Sequence, residues 1–204
     1  MGRCSDAKQR LMDAIEELIW RGSYGATTID QICEKAGVKK GSFYYFFDSK
    51  AELAVAALDA AFKAKRPIFD EMFSPSVPPL QRLKNYSEWV LTHQGDLKCK
   101  CGVVLGCPLF TLGSEICNQE PKLCAKVQEM MDTHDRYIEN AVRDAHAAGL
   151  FQTDELPAKI RMLRAYIEGL MTQARIRNDV NVLKEMLPGI YQILGINETK
   201  AKAA

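Results

Sequence analysis

The 204-residue sequence lacks an apolar run long enough to cross a membrane as a helix, and its N-terminus lacks the hydrophobic stretch of a secretion signal. It also lacks a surplus of charge, because 27 Lys and Arg residues stand against 26 Asp and Glu residues and give a formal net charge of +1. Overall charge alone is therefore a poor way for this chain to hold DNA. We expect a soluble, cytoplasmic protein in which any contact with nucleic acid comes from a local patch.

Motifs of catalysis are missing as well. None of the three histidines, His93, His134 and His146, belongs to a nucleophile elbow, a Gly-rich phosphate loop or a metal-binding pair such as H-E-x-x-H. The sequence therefore predicts neither an enzyme nor a bound cofactor. His134 lies in an apolar stripe, where a histidine is more often a packed core residue than a ligand.

The seven cysteines do not form a disulfide framework in this interpretation, because their number is odd and no secretion signal precedes them. Cys99, Cys101 and Cys107 are spaced closely enough to bind Zn²⁺ or Cu(I), or to respond to oxidation. Their spacing does not match a closed zinc site, and free cysteine is often a small buried residue. We predict no metal site and keep a metal or thiol sensor built on these three residues as the alternative.

The sequence shows helical periodicity over most of its length. Apolar residues recur at three- and four-residue steps through most of the chain, and no segment shows the two-residue period of a strand. This pattern predicts an all-α protein. Pro67 is expected to end or kink a long helix, and the segment from Gly95 to Gly106 is expected to be irregular.

The most informative stretch lies between residues 27 and 50. Apolar residues at i, i+3, i+4 and i+7 from Ile29 to Ala36 predict a short amphipathic helix, which Thr27 or Thr28 can cap. Gly37 suits the sharp turn that follows. A second short helix then carries lysine, serine and tyrosine on one side, while Phe43 and Phe47 face the core. Two helices joined by a tight, Gly-containing turn are typical of a helix-turn-helix.

Residues 7–58 resemble the DNA-binding domain of the tetracycline-repressor (TetR) family of bacterial transcription regulators. The rest of the chain is similar in helix count and in a loose pattern that ends at Glu115. The resemblance implies nine helices, with a three-helix DNA-binding domain at residues 1–50 and a six-helix ligand-binding and dimerisation domain at residues 51–204. The matching segments are Gly22-Ser-Tyr-Gly25-Ala-Thr-Thr28, Ile32 to Val38, Lys40 to Tyr45, and Phe47 to Leu53.

The resemblance also implies which residues meet DNA and in what way. Members of the family place the second helix of the motif in the major groove of a partly palindromic operator, which a homodimer reads as two half-sites. Many relatives have histidine where Phe46 stands, so a phosphate contact is lost there and the ring either packs inward or meets a thymine methyl. The implied DNA-contacting positions are Thr28, Lys39, Lys40, Gly41, Ser42, Tyr44, Tyr45, Phe46 and Lys50.

Two further sets of residues are expected in the remainder of the chain. A small-molecule pocket of aromatic, methionine and polar side chains is expected at Tyr86, Trp89, Cys107, Phe110, Met130, His134, Tyr137 and Met171. For each of these residues alone, a place in the core is the commoner explanation. The wide apolar faces of the last two helices predict a dimer interface at Ile160, Leu163, Ile167, Leu170, Leu183, Leu187, Ile190 and Leu194.

Overall fold

The computed structural model describes residues 2–117 and 119–196, and this part of the chain contains nine α-helices, one 3₁₀ helix and no strand. The predicted all-α class is confirmed. None of the helices in these residues is long and apolar enough to span a membrane. The helices are α1 (Gly2–Arg21), α2 (Ile29–Ala36), α3 (Lys40–Phe46), α4 (Lys50–Met72), α5 (Pro79–Cys101), α6 (Pro108–Ile116), α7 (Pro121–Ala147), α8 (Leu156–Arg177) and α9 (Met186–Leu194), with the 3₁₀ helix (Val180–Glu185) before α9.

The chain divides into two compact units. Unit 1 comprises residues 1–67 and 108–131, and unit 2 comprises residues 68–107 and 132–204. Unit 1 therefore holds more than the helix-turn-helix, because it includes most of α4, all of α6 and the start of α7. The domain boundary after residue 50 stays a prediction.

The core of unit 1 is built from the apolar faces of its short helices. Leu11, Ile15, Ile32, Phe43 and Leu53 are all completely buried. Each such side chain contributes roughly 1.5–3 kcal/mol by leaving water, and this burial holds α2 and α3, which are too short to be stable alone.

The core of unit 2 contains most of the residues that were predicted to form a dimer interface. Six of the eight are buried within this one chain, namely Ile160, Leu163, Ile167, Leu183, Ile190 and Leu194. Leu170 and Leu187 are partly buried. Side chains enclosed in the core of their own chain leave no surface for a second copy, so an interface on α8 and α9 would have to use the other faces of these helices.

The expectation of an irregular segment from Gly95 onward is wrong. Helix α5 continues through Gly95 to Cys101 and ends only at Gly102, whose φ of 78° is the left-handed conformation typical of a helix C-cap. Lys98 and Lys100 lie in the last turn, where positive charge interacts favourably with the helix dipole. The irregular segment is therefore limited to residues 102–107.

Pro67 lies inside α4, which continues to Met72. The proline therefore does not end the helix, although the division between unit 1 and unit 2 falls immediately after it. At the start of α4, Ser49 Oγ accepts a hydrogen bond from the Glu52 amide at 3.1 Å. The Glu52 carboxylate in turn accepts from the Asp48 amide at 2.8 Å, which resembles a capping box except that the amide lies one residue before Ser49.

Candidate nucleic-acid interface and effector site

Helix α2 begins and ends as its sequence predicts. Thr28 Oγ1 accepts a hydrogen bond from the Gln31 amide at 3.2 Å, and Gln31 Oε1 accepts from the Thr28 amide at 2.8 Å, which forms a capping box. At the other end Gly37 has a φ of 62°, and its N–H bonds back to the carbonyls of Cys33 and Glu34. These two caps fix the angle at which the chain enters α3.

Helix α3 has one buried and one exposed aromatic face. Phe43 and, just after the helix, Phe47 lie in the unit 1 core, with 0% and 3% of their surface exposed, which confirms the prediction for both. On the other side Tyr44 is 53% exposed and Tyr45 is 74% exposed. Two neighbouring exposed rings on a helix of seven residues form a small apolar surface that is available to a partner.

The N-terminal end of α3 is open to solvent. Lys39, its N-cap residue, is exposed and has no side-chain cap hydrogen bond, and Ser42 is partly exposed. A Cβ atom added at Gly41 would meet no atom of this chain within 4 Å. The glycine is therefore not required by packing within the described residues, and its missing side chain leaves room for a partner to approach the backbone.

Lys40 is exposed but already has an anionic partner. Its Nζ lies 2.8 Å from Asp30 Oδ1, and both side chains face water. The hydrogen bond that Lys40 donates to Asp30 raises the pKa of Lys40, so the ammonium stays charged. A DNA phosphate that bound Lys40 would have to displace this carboxylate.

Phe46 and Lys50 are partly buried and already contact other residues of unit 1. Phe46 is partly buried against the unit 1 core, with ring centroids 4.9 Å from Tyr45 and 6.4 Å from Phe47. Lys50 Nζ donates to the carbonyls of Tyr24 and Thr27 at 2.7 and 2.8 Å and lies 4.1 Å from the Tyr24 ring centroid. Burial lowers the pKa of Lys50. This lysine braces the turn between α1 and α2, and a phosphate contact would compete with those two hydrogen bonds.

Glu115, at the end of α6, holds the same turn from another side. Its carboxylate accepts hydrogen bonds from Ser23 Oγ at 2.6 Å, from the Gly25 amide at 2.7 Å and from the Tyr24 amide at 3.0 Å. Burial raises the pKa of Glu115, but these hydrogen bonds and the charge of Lys50 outweigh it, so the net pKa lies below the ordinary 4.5. Sequence reasoning used Glu115 only as part of a family pattern, because no local signal indicates a partner some 90 residues earlier.

The residues predicted to line a ligand pocket fall in both units. Tyr86, Trp89, Cys107, His134, Tyr137 and Met171 belong to unit 2, whereas Phe110 and Met130 belong to unit 1. Within unit 2 the aromatic members form one cluster around Phe69, whose ring centroid lies 5.1 Å from Trp89, 5.2 Å from His134 and 5.8 Å from Tyr137. Tyr86 joins through His134, at 5.6 Å.

Glu168 on α8 interacts electrostatically with two members of this cluster, Tyr86 and His134, and was missed in the sequence. It hydrogen-bonds to Cys107, while burial raises its pKa above the ordinary 4.5. Its Oε2 atom is buried and finds no hydrogen-bond partner in the described residues. Burial also lowers the pKa of His134, so this imidazole is neutral near pH 7. A glutamate at one position in an amphipathic helix carries no sequence signal that separates it from a solvated residue.

The segment before α6 places Cys107 with several hydrogen bonds. Gln94 Oε1 accepts from the Gly106 amide at 3.0 Å, and Gln94 Nε2 donates to the Gly106 carbonyl at 3.1 Å. Arg175 donates to the Leu105 carbonyl at 3.0 Å. These contacts hold residues 105 and 106, and with them the position from which the Cys107 thiol reaches Glu168.

The three candidate sensor cysteines do not lie in equivalent surroundings. Cys99 is exposed and Cys101 is partly exposed, both in the last turn of α5, and Cys107 is partly buried. Among residues 2–117 and 119–196, no group of three or more His, Cys, Asp or Glu side chains is arranged to hold a metal ion.

An open groove of about 520 Å³ lies within unit 1, between α1 and α4. None of the residues predicted to bind ligand lines it. Its walls come from Lys8, Gln9, Met12, Ala56, Asp59, Ala60 and Lys63.

The chain matches two known protein families, one in its N-terminal part and one over most of the remainder. Residues 11–57 match the family described as bacterial regulatory proteins, tetR family, and residues 79–190 match the family described as tetracyclin repressor-like, C-terminal domain. The first match contains the exposed face of α3, and the second contains Glu168, Tyr86, Trp89, His134 and Tyr137 but not Phe69.

Individual relatives resemble the chain over nearly its whole length. An HTH-type transcriptional regulator from the lacX 3' region of Lactococcus lactis is 27% identical over 181 residues, which is 88% of each chain. The HTH-type transcriptional repressor NemR of Escherichia coli is 24% identical over 197 residues, covering 93% of this chain and 94% of the relative.

Solved structures give the same result. A regulatory protein TetR from Rhodobacter sphaeroides superposes with a TM-score of 0.78 at 25% identity, over 92% of this chain and 98% of that one. The reduced form of E. coli NemR superposes with a TM-score of 0.78 over 94% of this chain and 98% of that one. Because the identity to that structure is 20%, this second likeness shows the fold alone.

Proposed function

Because the chain belongs to the tetracycline-repressor family of bacterial transcription regulators, we propose that it is a homodimeric repressor that α3 anchors to operator DNA and a small molecule releases. One observation carries the DNA-binding part. The short helix α3 turns Phe43 into the core and leaves Lys39, Tyr44 and Tyr45 exposed on the opposite side. A cationic and aromatic face of that size suits the major groove, where lysines meet phosphates and rings meet base edges.

The proposed contacts differ in what they must give up. Lys39, Gly41, Ser42, Tyr44 and Tyr45 are open to a partner, and Thr28 is exposed although its hydroxyl serves the cap of α2. Lys40 has to exchange Asp30 for a phosphate. Phe46 and Lys50 are held by unit 1 itself, and we expect them to position α3 more than they contact DNA.

The proposal includes a dimer, since a twofold protein matches a palindromic operator. Exposed side chains on α8 support it, because Met162 and Ile176 are 59% and 72% exposed. Ala165 and Gly169 lie between them on the same exposed stripe and are small enough to let another helix approach closely. This stripe takes the place of the buried set predicted from the sequence.

The proposed release passes through α4, which crosses the division between the units, and through α6, which begins where the chain returns from unit 2 to unit 1. Helix α4 carries Pro67 at the division. Helix α6 begins directly after Cys107, and near its end Glu115 accepts a hydrogen bond from the α1–α2 turn. A ligand that binds near Cys107 and Glu168 in one arrangement of α6 better than in another would shift the α1–α2 turn and, with it, α3. The proposed site of action is the cytoplasm, where bacterial promoters lie, and no catalysis is involved.

A mobility-shift titration of the protein on the DNA upstream of its own gene tests this function. We expect a complex with two chains per operator that survives a large excess of scrambled DNA. A complex that scrambled DNA competes away equally well would contradict sequence-specific binding. Tyr45→Ala should weaken the specific complex by about tenfold, which corresponds to 1.4 kcal/mol, because it removes an exposed contact without disturbing the core.

The alternative keeps the same scaffold and senses a metal or an oxidant through Cys99, Cys101 and Cys107. The exposure of Cys99 and the partial exposure of Cys101 support it, because both thiols can be reached by a metal ion or an oxidant. Operator affinity measured with and without Zn²⁺, Cu(I) or a mild oxidant, in the wild type and in a Cys→Ser triple variant, separates the two. A response that the triple variant loses would favour the sensor.

A further inference from the structure

Unit 2 buries a carboxylate oxygen that the described part of the chain leaves without a hydrogen bond. Glu168 Oε2 is shielded from solvent and accepts no hydrogen bond from the described residues, whereas the carboxyl is otherwise tied to the Cys107 thiol. Buried polar atoms are hydrogen-bonded in the great majority of cases, so each exception calls for an explanation. An acceptor of this kind is suited to a ligand that brings a donor.

The charges around Glu168 indicate the charge of the ligand that would supply this donor. Arg164 forms an ion pair with Asp135, so these two charges cancel locally. His134, which interacts with both Glu168 and Arg164, is neutral because burial lowers its pKa. When Glu168 is ionised, this group therefore carries one uncompensated negative charge, and a ligand with a single positive charge would neutralise it.

The apolar walls favour an organic ion over a metal ion. Tyr86 and His134 both interact electrostatically with Glu168, their ring centroids lie 5.6 Å apart, and Phe69 packs against His134 at 5.2 Å. Trp89 follows at 5.1 Å from Phe69. Aromatic faces attract ammonium groups through their π electrons and also pack against an apolar body. A metal ion would need several oxygen, nitrogen or sulfur ligands in place of these rings.

We propose that unit 2 binds a small organic monocation, whose protonated amine donates a hydrogen bond to Glu168 Oε2 and whose apolar body packs among Tyr86, Phe69 and Trp89. This inference rests on the proposed function, because it names the chemical class of the effector. Met171, buried on the same helix one turn after Glu168, is placed to adapt to ligands of different shape.

Isothermal titration calorimetry on the full-length protein tests the charge rule with matched probes. The probes are arylalkyl amines of increasing chain length, the corresponding arylalkyl alcohols and the corresponding carboxylates. We expect an amine to bind at least about tenfold more tightly than its alcohol, and the carboxylates not to bind, because charge-assisted hydrogen bonds are roughly twice as strong as neutral ones. Equal affinity for amine and alcohol, preference for a carboxylate, or no binding by any amine would overturn the proposal.

A pair of variants assigns the effect to Glu168. Glu168→Gln should lower amine affinity at least about tenfold and leave alcohol affinity unchanged, since it removes the charge and keeps the shape. Glu185→Gln, which changes an exposed carboxylate of unit 2, should leave both unchanged. Unaltered amine binding by Glu168→Gln would also overturn the proposal. If that variant does not fold, the preference of the wild type for amine over alcohol decides whether the proposal stands.

The same samples keep this inference apart from the proposed function. Operator binding is measured on the ligand-free wild type before any amine is added. If the wild type binds its operator specifically but binds no amine, only the proposed class of ligand is wrong. If the ligand-free wild type does not bind its operator specifically, the proposed repressor function is wrong.

Discussion

The two units each contain a carboxylate that matters, and they treat it in opposite ways. In unit 1 Glu115 accepts three hydrogen bonds, and its pKa is lowered despite burial. In unit 2 Glu168 has one oxygen without a hydrogen-bond partner among residues 2–117 and 119–196, and burial raises its pKa. The first arrangement is complete and holds one geometry, as a scaffold for DNA reading must. The second is incomplete and has the character of a site that a ligand finishes.

The largest effect is expected from the core side of α3. Phe43→Ala should lower the free energy of unfolding by about 3–5 kcal/mol, because it removes a fully buried ring. Tyr44→Ala, one residue along, should change stability by less than about 0.5 kcal/mol because its ring is 53% exposed. Urea denaturation followed by circular dichroism measures both, and equal midpoints for the two variants would refute the assignment of faces.

The contrast between the two carboxylates predicts the next largest effect. Glu115→Gln should cost about 1–3 kcal/mol, since it weakens three charge-assisted hydrogen bonds that fix the α1–α2 turn. Glu168→Gln should cost less, because it removes a charge that burial disfavours. Chemical denaturation of both variants at pH 7 tests this order. A larger loss from Glu168→Gln would break the comparison.

The two carboxylates should change the stability of the protein in opposite directions as the pH is varied. A carboxyl whose pKa is lowered by folding stabilises the protein above its ordinary pKa of 4.5, and this contribution is lost as the pH falls through the lowered value. Below pH 4.5, stability should therefore fall more steeply in the wild type than in Glu115→Gln. The raised pKa of Glu168 acts oppositely, so stability should fall as the pH rises above 4.5 through that value. Thermal unfolding across this pH range is the measurement, and parallel profiles for wild type and both Gln variants would contradict it.

The smallest expected effect concerns the ion pair at the edge of α3. Asp30→Asn releases Lys40 from its carboxylate partner and should increase operator affinity by a few-fold, roughly what an exposed ion pair contributes. Glu34→Gln, which alters another exposed acid of α2, is the control. Fluorescence anisotropy with labelled operator measures both, and unchanged or weaker binding by Asp30→Asn would show that Asp30 does not compete with phosphate.

Much of unit 1 could be predicted from sequence, because its signals are local. The Thr28 cap, the turn at Gly37 and the burial of Phe43 and Phe47 all follow from residues within a few positions of one another. Lys50 shows the limit, since its carbonyl partners at Tyr24 and Thr27 lie more than twenty residues away. A lysine beside a recognition helix gives no sign in the sequence of whether it faces solvent or the protein.

Unit 2 was less predictable because its important contacts join residues that are distant in sequence. Apolar periodicity identified α8 and α9, but it could not say whether Ile160 or Leu163 packs inside one chain or against another. Aromatic composition pointed to Tyr86, Trp89, His134 and Tyr137, which do cluster. Glu168 escaped notice because its importance depends on burial among residues that are distant in sequence, and burial of that kind has no local pattern.

Helix α3 is expected to contribute local, exposed cationic contacts to operator binding. The most direct measurement compares the salt dependence of operator affinity for Lys39→Ala and for Lys184→Ala, an exposed lysine of unit 2. If Lys39 neutralises one phosphate, the slope of log K against log salt should become shallower by about 0.9 in Lys39→Ala and stay unchanged in Lys184→Ala. Identical slopes for the wild type and Lys39→Ala would contradict the account.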